Sequence, residues 1–152
     1  MFATQKAGLG RVFATATAEA KRCGDRFVGT EHLTLALLAD PDSLTAKALG
    51  VDLAWARSAL LALDHEALAA LGVDATFDEP ITARADKDRL RLTPGAKAVF
   101  GDLRAQSKGE RLGILPILLL ALLDRQPPDP AAALLDTLGV DRAEVQRRLR
   151  AA

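Results

Sequence analysis

The sequence predicts an all-α protein, made of two tandem four-helix repeats. The first observation is an internal repeat, because two sets of residues return in the same order further along the chain. The second is that apolar residues between the turns recur at helical spacing. The third is that glycine follows these apolar segments, as at helix ends. The first set is Gly24, Ala36–Leu38, Asp40 and Leu49–Asp52; the second is Gly109, Ala121–Leu123, Asp124 and Leu138–Asp141.

The first two helices are predicted from apolar spacing and from a turn between them. Val12, Ala16 and Ala20 share one helical face, which predicts a first helix from about Arg11 to Cys23. A second helix is expected to begin with Thr30 as its N-cap, since the threonine hydroxyl can accept a hydrogen bond from the first turn. Leucines cover more than one face of this second helix, so we expect it to be central and buried.

The rest of repeat one is set by a Gly-Val-Asp turn. Gly50 ends a short third helix, and Asp52 is predicted to cap a fourth helix that runs from Leu53 to about Leu63. A short extra helix over residues 64–71 follows. The charged, aperiodic stretch from Thr76 to Arg91 is interpreted as a linker between the repeats.

Repeat two begins at Leu92. Thr93 is the expected N-cap of its first helix and Pro94 the first helical residue, where proline loses no helical hydrogen bond. Its second helix begins at Leu115-Pro116-Ile117, its third follows Pro130, and Asp141 is predicted to cap the last. Because each repeat alone is small, we expect one domain over 1–152: repeat one 1–63, connecting helix and linker 64–91, repeat two 92–152.

Composition excludes several classes of function. The 20 basic and 20 acidic residues give a formal charge of zero, which disfavours nucleic acid and anionic membranes as partners. The longest apolar run, Leu112–Leu123, is shorter than the roughly 18 residues of a spanning helix. Neither a secretory signal nor a disulfide partner for Cys23 is present, so a cytoplasmic location is expected.

Repeat one carries a signature that resembles a known family. Phe27-Val28-Gly29 leads into Thr30-Glu31-His32 and then into a leucine-rich helix, with Gly50-Val51-Asp52 downstream, and Leu92–Val99 opens repeat two in a matching way. This order is similar to the N-terminal domain of the Clp-family AAA+ unfoldases, particularly the ClpC branch. The resemblance implies that the two repeats form a pseudo-two-fold, eight-helix bundle. It also implies a non-enzymatic module without cofactors that binds substrates, adaptors or peptides for a Clp unfoldase-protease.

Full-length relatives carry ATPase modules after this domain. The chain holds no Gly-x-x-x-x-Gly-Lys-(Ser/Thr) motif to cradle nucleotide phosphates. We therefore expect a stand-alone member that acts as adaptor, decoy or regulator; the alternative is an N-terminal fragment of a full-length Clp ATPase. A DNA-binding helical regulator is a remote alternative, for which only the arginine-rich last helix speaks.

The resemblance also implies a site for phosphorylated arginine at Thr30, Glu31 and His32. A carboxylate can hold the guanidinium group by paired charge-assisted hydrogen bonds, while hydroxyl, backbone N–H or basic groups hold the phosphoryl oxygens. The equivalent of Glu31 in repeat two is Pro116, so the site is expected once. The other interpretation of Thr30-Glu31-His32, a helix cap with a packed histidine, stays open.

A second implied site is an apolar patch that relatives offer to adaptors and to macrocyclic peptide antibiotics. Phe2 and Leu92 stand at its two aromatic positions, and Lys97 matches a patch lysine. The acidic residue expected four positions after Lys97 is Gly101 here, so the match is partial. Alternatively, Phe2 only packs the chain start onto the core.

Three further candidates carry little chemistry. His65 lies between two acidic residues, but adjacent residues on a helix point in different directions, so no metal site is expected there. Trp55 is expected in the core. Cys23 is interpreted as a small apolar filler, and no catalytic residue is predicted.

Overall fold

The computed structural model describes residues 2–72, 90–109 and 111–152, with side chains described from residue 8 onward. Its elements are α1 (Phe2–Arg22), β1 (Phe27–Val28), α2 (Thr30–Leu38), α3 (Leu44–Leu49), α4 (Leu53–Ala70), β2 (Arg91–Leu92), α5 (Pro94–Ser107), α6 (Ile114–Leu123), α7 (Pro130–Thr137) and α8 (Arg142–Ala151). The all-α prediction is confirmed.

Exchange of α1–α4 with α5–α8 maps the helix contacts onto one another, which is the signature of a pseudo-two-fold bundle. Within the repeats α1 packs on α2 as α5 packs on α6, and between them α1 packs on α6 as α5 packs on α2. Likewise α2 contacts α7 as α6 contacts α3, and α4 contacts α7 as α8 contacts α3. The two repeats therefore share one interface built from equivalent faces.

The core centres on α2 and α6, whose leucines are buried on every side. Both helices are flanked by their own repeat and by the other one, so an amphipathic face is not enough. Apolar residues fill every position of α6 and, after the first turn, every position of α2 except buried Thr34. Local caps follow the sequence: the Asp52, Thr93 and Asp141 side chains each accept a backbone N–H of the first turn of α4, α5 and α8.

Two helix lengths differ from the prediction. α1 begins at Phe2 rather than near Arg11, because Gly8 and Gly10 are accommodated inside it; a Cβ at Gly8 would lie 3.9 Å from Leu115 at the start of α6. α4 continues to Ala70 and absorbs the predicted extra helix, since nothing between Leu63 and Asp64 breaks a helix. Most of the predicted linker, up to residue 89, lies outside the described residues, so the repeat boundaries stay predictions.

A short parallel pairing of β1 and β2 was not predicted. Phe27 pairs with Arg91 and Val28 with Leu92, and the Thr93 N–H donates to the Val28 carbonyl at 2.9 Å. Two residues per strand are too few for a period-two pattern to show in the sequence. The pairing places the start of repeat two beside the start of α2.

Thr30 links α2 to α7 rather than capping its own helix. The N-cap of α2 is Gly29, one residue earlier than predicted. The Thr30 hydroxyl, 1% exposed, donates to Asp129 Oδ1 at 2.6 Å and accepts the Ala131 N–H at 3.2 Å. Asp129 in turn caps α7 and accepts from Arg125 Nε at 2.9 Å, so one buried carboxylate ties both repeats together.

We predict that Thr30→Val destabilises the fold by about 1–2 kcal/mol, because the carboxylate loses a buried hydroxyl donor. The measurement is urea unfolding followed by circular dichroism at 222 nm. Thr137→Val, which removes an exposed hydroxyl from α7, is the matched control and should change stability by about 0.5 kcal/mol or less. Equal midpoints for Thr30→Val and wild type would contradict the linking role.

Candidate functional site

A cleft of about 490 Å³ opens at the N-terminus of α2. The turn after α1 forms one wall, α4 the second, and the start of α7 the third. Its ionisable lining consists of three carboxyl groups, one arginine and one histidine. The residues that matter for its chemistry are Asp25, Arg26, Glu31, His32 and Asp64.

Gly29 makes room for the carboxylate of Glu31. Its backbone φ of −100° is available to any residue, so the chain conformation does not require glycine here. A Cβ at this position, however, would lie 1.9 Å from Glu31 Oε1, far inside van der Waals contact. Gly29 is therefore needed for the close approach of a carboxylate that is only 13% exposed.

His32 lies behind Glu31 and connects three groups. Its ring is 1% exposed, with Nε2 2.9 Å from Asp25 Oδ2. Nδ1 lies 2.9 Å from the Gly29 nitrogen and 3.1 Å from Glu31 Oε1. Nδ1 has a single site, so it either accepts the Gly29 N–H in the neutral ring or donates to Glu31 in the imidazolium.

The acid groups around His32 hold its proton. Burial lowers the pKa of His32, but hydrogen bonds with Asp25 and Cys23 and the charges of Glu31 and Asp25 raise it more, to about 9. Protonated His32 donates from Nδ1 to Glu31 and from Nε2 to Asp25. The Gly29 N–H then gives up its capping bond, which is the cost of this charge state.

Among the carboxyl groups of the cleft, that of Glu31 is poorly hydrated, whereas Asp25 and Asp64 are exposed. Burial raises the pKa of Glu31, although the charge of His32 opposes this. Partial burial, followed by the charge of Asp25, raises the pKa of Asp64. Both shifts would be relieved by a cation in the cleft, so the arrangement is suited to a positively charged group.

The predicted triad Thr30-Glu31-His32 is split by the structure. Glu31 and His32 line the cleft, whereas the hydroxyl of Thr30 points to α7 and is used by Asp129. His32 is packed, as the second interpretation expected, but Thr30 does not cap the helix, and a ligand-binding role for Glu31 stays a prediction. Asp25 and Cys23, which the sequence analysis did not connect with this site, complete the surroundings of His32.

In repeat two the same place is apolar. Gly113 is the N-cap of α6, so Leu115 occupies the second helical position, as Glu31 does in α2, and buried Pro116 follows. Aligned through the leucines further along the helix, Pro116 is the counterpart instead. Neither side chain supplies a charge, and the carboxylate chemistry is specific to repeat one.

One comparison with known proteins identifies the family. Residues 9–113 match the model of the Clp repeat (R) N-terminal domain, which is most of the chain. The chain belongs to the Clp N-terminal domain family. No curated protein matches it.

Clp N-terminal domains are non-catalytic modules that mediate protein interactions in Clp systems. The match agrees with the resemblance that the signature in repeat one indicated. Within the described part of this Clp N-terminal domain, no helix combines the length and apolarity needed to cross a bilayer.

The second predicted surface is described in part. Leu92 on β2 is half-buried and packs against the core, while Lys97 and Gly101 lie exposed along α5. The side chain of Phe2 lies outside the described residues, although its backbone belongs to α1.

The weaker candidates are also placed. Trp55 was expected in the core but is 51% exposed, because the first turn of α4 lies at the rim of a cavity between the two Gly-Val-Asp turns. His65 is exposed on α4. On α8, Arg147 and Arg148 share the carboxylate of Glu144, and Arg142 pairs with Asp136, so part of the positive charge of this helix is balanced within the protein.

We predict a titration of His32 with a pKa near 9 and a lower value in Asp25→Asn, which loses the anionic partner of Nε2. Two-dimensional NMR of the imidazole resonances measures both, with His65→Gln to assign the signals. Since the folded pKa lies above the ordinary 6.5, the stabilisation is complete below pH 6.5 and is lost as the pH rises through about 9. An unchanged pKa in Asp25→Asn would contradict this account.

Proposed function

We propose that this Clp N-terminal domain binds protein or peptide segments through the Glu31 cleft, and so acts as adaptor, decoy or regulator for a Clp unfoldase-protease. The observation that carries the proposal is the Glu31 carboxylate, held over Gly29 at the open end of a buried acid–histidine cluster. Burial of this carboxylate loses hydration free energy, and a bound cation would offset that loss. This favours a ligand-binding role over a purely structural one.

Phosphorylated arginine is the proposed ligand group. Its guanidinium portion fits the carboxylates of Glu31 and Asp64, through the paired hydrogen bonds that such planar groups form. Its phosphoryl oxygens require a positively charged donor, and Arg26 supplies one at the same cleft. Protonated His32 adds positive charge but no free N–H, because both of its ring nitrogens already pair with Glu31 and Asp25. The hydroxyl of Thr30 is not part of this proposal, because Asp129 already binds it.

We predict that a peptide with one phospho-arginine binds wild type and that Glu31→Gln weakens this binding about 10-fold or more, as expected for a lost charged hydrogen-bond partner. Fluorescence anisotropy of labelled peptides measures it. Gly29→Ala should weaken binding similarly, because the new Cβ displaces the carboxylate. Glu66→Gln is the control, because it changes an exposed residue of α4 that does not line the cleft.

Two peptide controls make the assay decisive. The same peptide with unmodified arginine tests whether the three nearby carboxylates select a plain cation instead, and a citrulline peptide removes the charge. Equal affinity for the arginine and phospho-arginine peptides would contradict the phosphoryl part of the proposal. If no peptide binds wild type, the cleft is not the docking site.

We further propose that Phe2, Leu92 and Lys97 form a second docking patch, for adaptors or for macrocyclic peptide antibiotics. Support comes from the exposure of Lys97 and from Leu92, which is only half-buried at the start of repeat two. A half-buried apolar side chain beside a charge can anchor a partner at low cost.

We predict that the double variant Phe2→Ala/Leu92→Ala reduces the affinity for such a macrocycle about 10-fold or more, because anchors of this type carry most of the binding energy. Isothermal titration calorimetry measures the affinity. Leu61→Ala, which truncates an exposed leucine on α4, is the control. Unchanged affinity in the double variant would remove the patch from the proposed function.

A further inference from the structure

We propose that Cys23, Asp25 and His32 form a binding site for a zinc-like divalent metal ion. The site does not rest on the proposed peptide binding, because it uses the Nε2 side of His32, which faces away from Glu31. The Cys23 Sγ, a carboxylate oxygen of Asp25 and a ring nitrogen of His32 all lie within 4.8 Å of one another. Thiolate, imidazole and carboxylate are the three side-chain ligands that Zn²⁺ uses in proteins.

The turn at the end of α1 builds two thirds of the site. Gly24 adopts φ 76°, and the hydrogen bonds from Gly24 N–H to Lys21 O and from Asp25 N–H to Ala20 O close the turn in the Schellman pattern. This reversal puts Cys23 and Asp25 next to His32, which α2 contributes. A residue with a Cβ at Gly24 would strain the turn.

To reach the spacing of a tetrahedral site, the ligand atoms need to move by distances on the order of 1 Å, since none lies more than 4.8 Å from another. Ligands of a tetrahedral zinc ion stand roughly 3.3–3.8 Å apart, given metal–ligand distances of about 2.0–2.3 Å. The Asp25 Oδ2–His32 Nε2 separation of 2.9 Å is that of a hydrogen bond and would open by about half an ångström as the ion replaces the proton. Asp25 is 49% exposed and Cys23 is exposed, so both can move, while buried His32 stays fixed.

A fourth group supports the histidine from the other side. When Nε2 binds a metal, Nδ1 carries the proton and needs an acceptor, and Glu31 Oε1 lies 3.1 Å away. A carboxylate behind a metal-bound histidine fixes the ring and raises its basicity. Glu31 is thus a positioning residue for the metal site and does not touch the ion.

The ligand set selects the class of metal. One sulfur and one imidazole favour zinc and cobalt over magnesium or calcium, which prefer oxygen ligands. Binding releases the thiol proton of Cys23 and the Nε2 proton of His32, so no oxidation or reduction is involved. Three ligands from the described residues leave one position of a tetrahedral ion for water or for a donor group of a partner.

The test is titration of the metal-free chain with Co²⁺ at pH 8, followed by absorbance. We expect one equivalent to bind, with a thiolate-to-cobalt charge-transfer band and the strong visible bands of tetrahedral cobalt, and Zn²⁺ should displace it. Cys23→Ser should lose the charge-transfer band. Asp25→Asn and Glu31→Gln should each weaken binding about 10- to 100-fold, as changes at ligands and their supporting groups do.

The control variants separate this site from other metal-binding groups and from misfolding. His65→Gln removes the other histidine and should leave the cobalt spectrum unchanged. Circular dichroism of each metal-free variant shows whether the fold persists, and Cys23→Ser changes an exposed residue. Absence of a thiolate band at one equivalent of Co²⁺, or an unchanged titration in Asp25→Asn, would overturn the proposal. Peptide binding measured with a chelator present tests the proposed function independently.

Discussion

Burial of α2 between the two repeats is the constraint on which the rest of the structure depends. Because α1, α5, α6 and α7 all pack against it, its leucines have no solvent face and its N-terminus cannot shift independently. The hydrogen bond from Thr30 to Asp129 fixes that N-terminus against α7. The first turn of α2 is therefore a rigid platform, and rigid platforms are where charged groups can be held close together.

The polar groups gathered there are absent from the equivalent turn of α6, and this asymmetry is what the duplication permits. A symmetric scaffold needs its leucines twice, since both central helices are buried in the same way. It needs Gly29, Glu31 and His32 only once, because a helix can begin at Gly113 with Leu115 and Pro116 in its first turn at little cost. Divergence at helix starts changes the surface chemistry and leaves the core packing intact.

Features set by neighbouring residues could be predicted from the sequence, and features set by distant ones could not. The caps at Asp52 and Thr93 depend on contacts three residues away and were predicted correctly. The role of Thr30 depends on Asp129, 99 positions further on, so local rules assigned its hydroxyl to the wrong helix end. Within the site, Glu31 and His32 were found through the motif. Asp25 was missed, because a turn rather than a periodic pattern brings it to His32.

His32 couples the two faces of the site through one ring. Its Nδ1 lies beside Glu31 in the cleft, and its Nε2 lies beside Asp25. A ligand that pairs with Glu31 makes this carboxylate a weaker acceptor for the Nδ1 proton of His32. A positive charge bound at Nε2 makes the same Nδ1 proton depend more strongly on Glu31 as its acceptor. Any two groups bound at these faces must change each other's affinity by the same factor, because the coupling free energy is a property of the ternary state. The coupling acts through a single buried imidazole ring, because one group would bind beside Nδ1 and the other at Nε2.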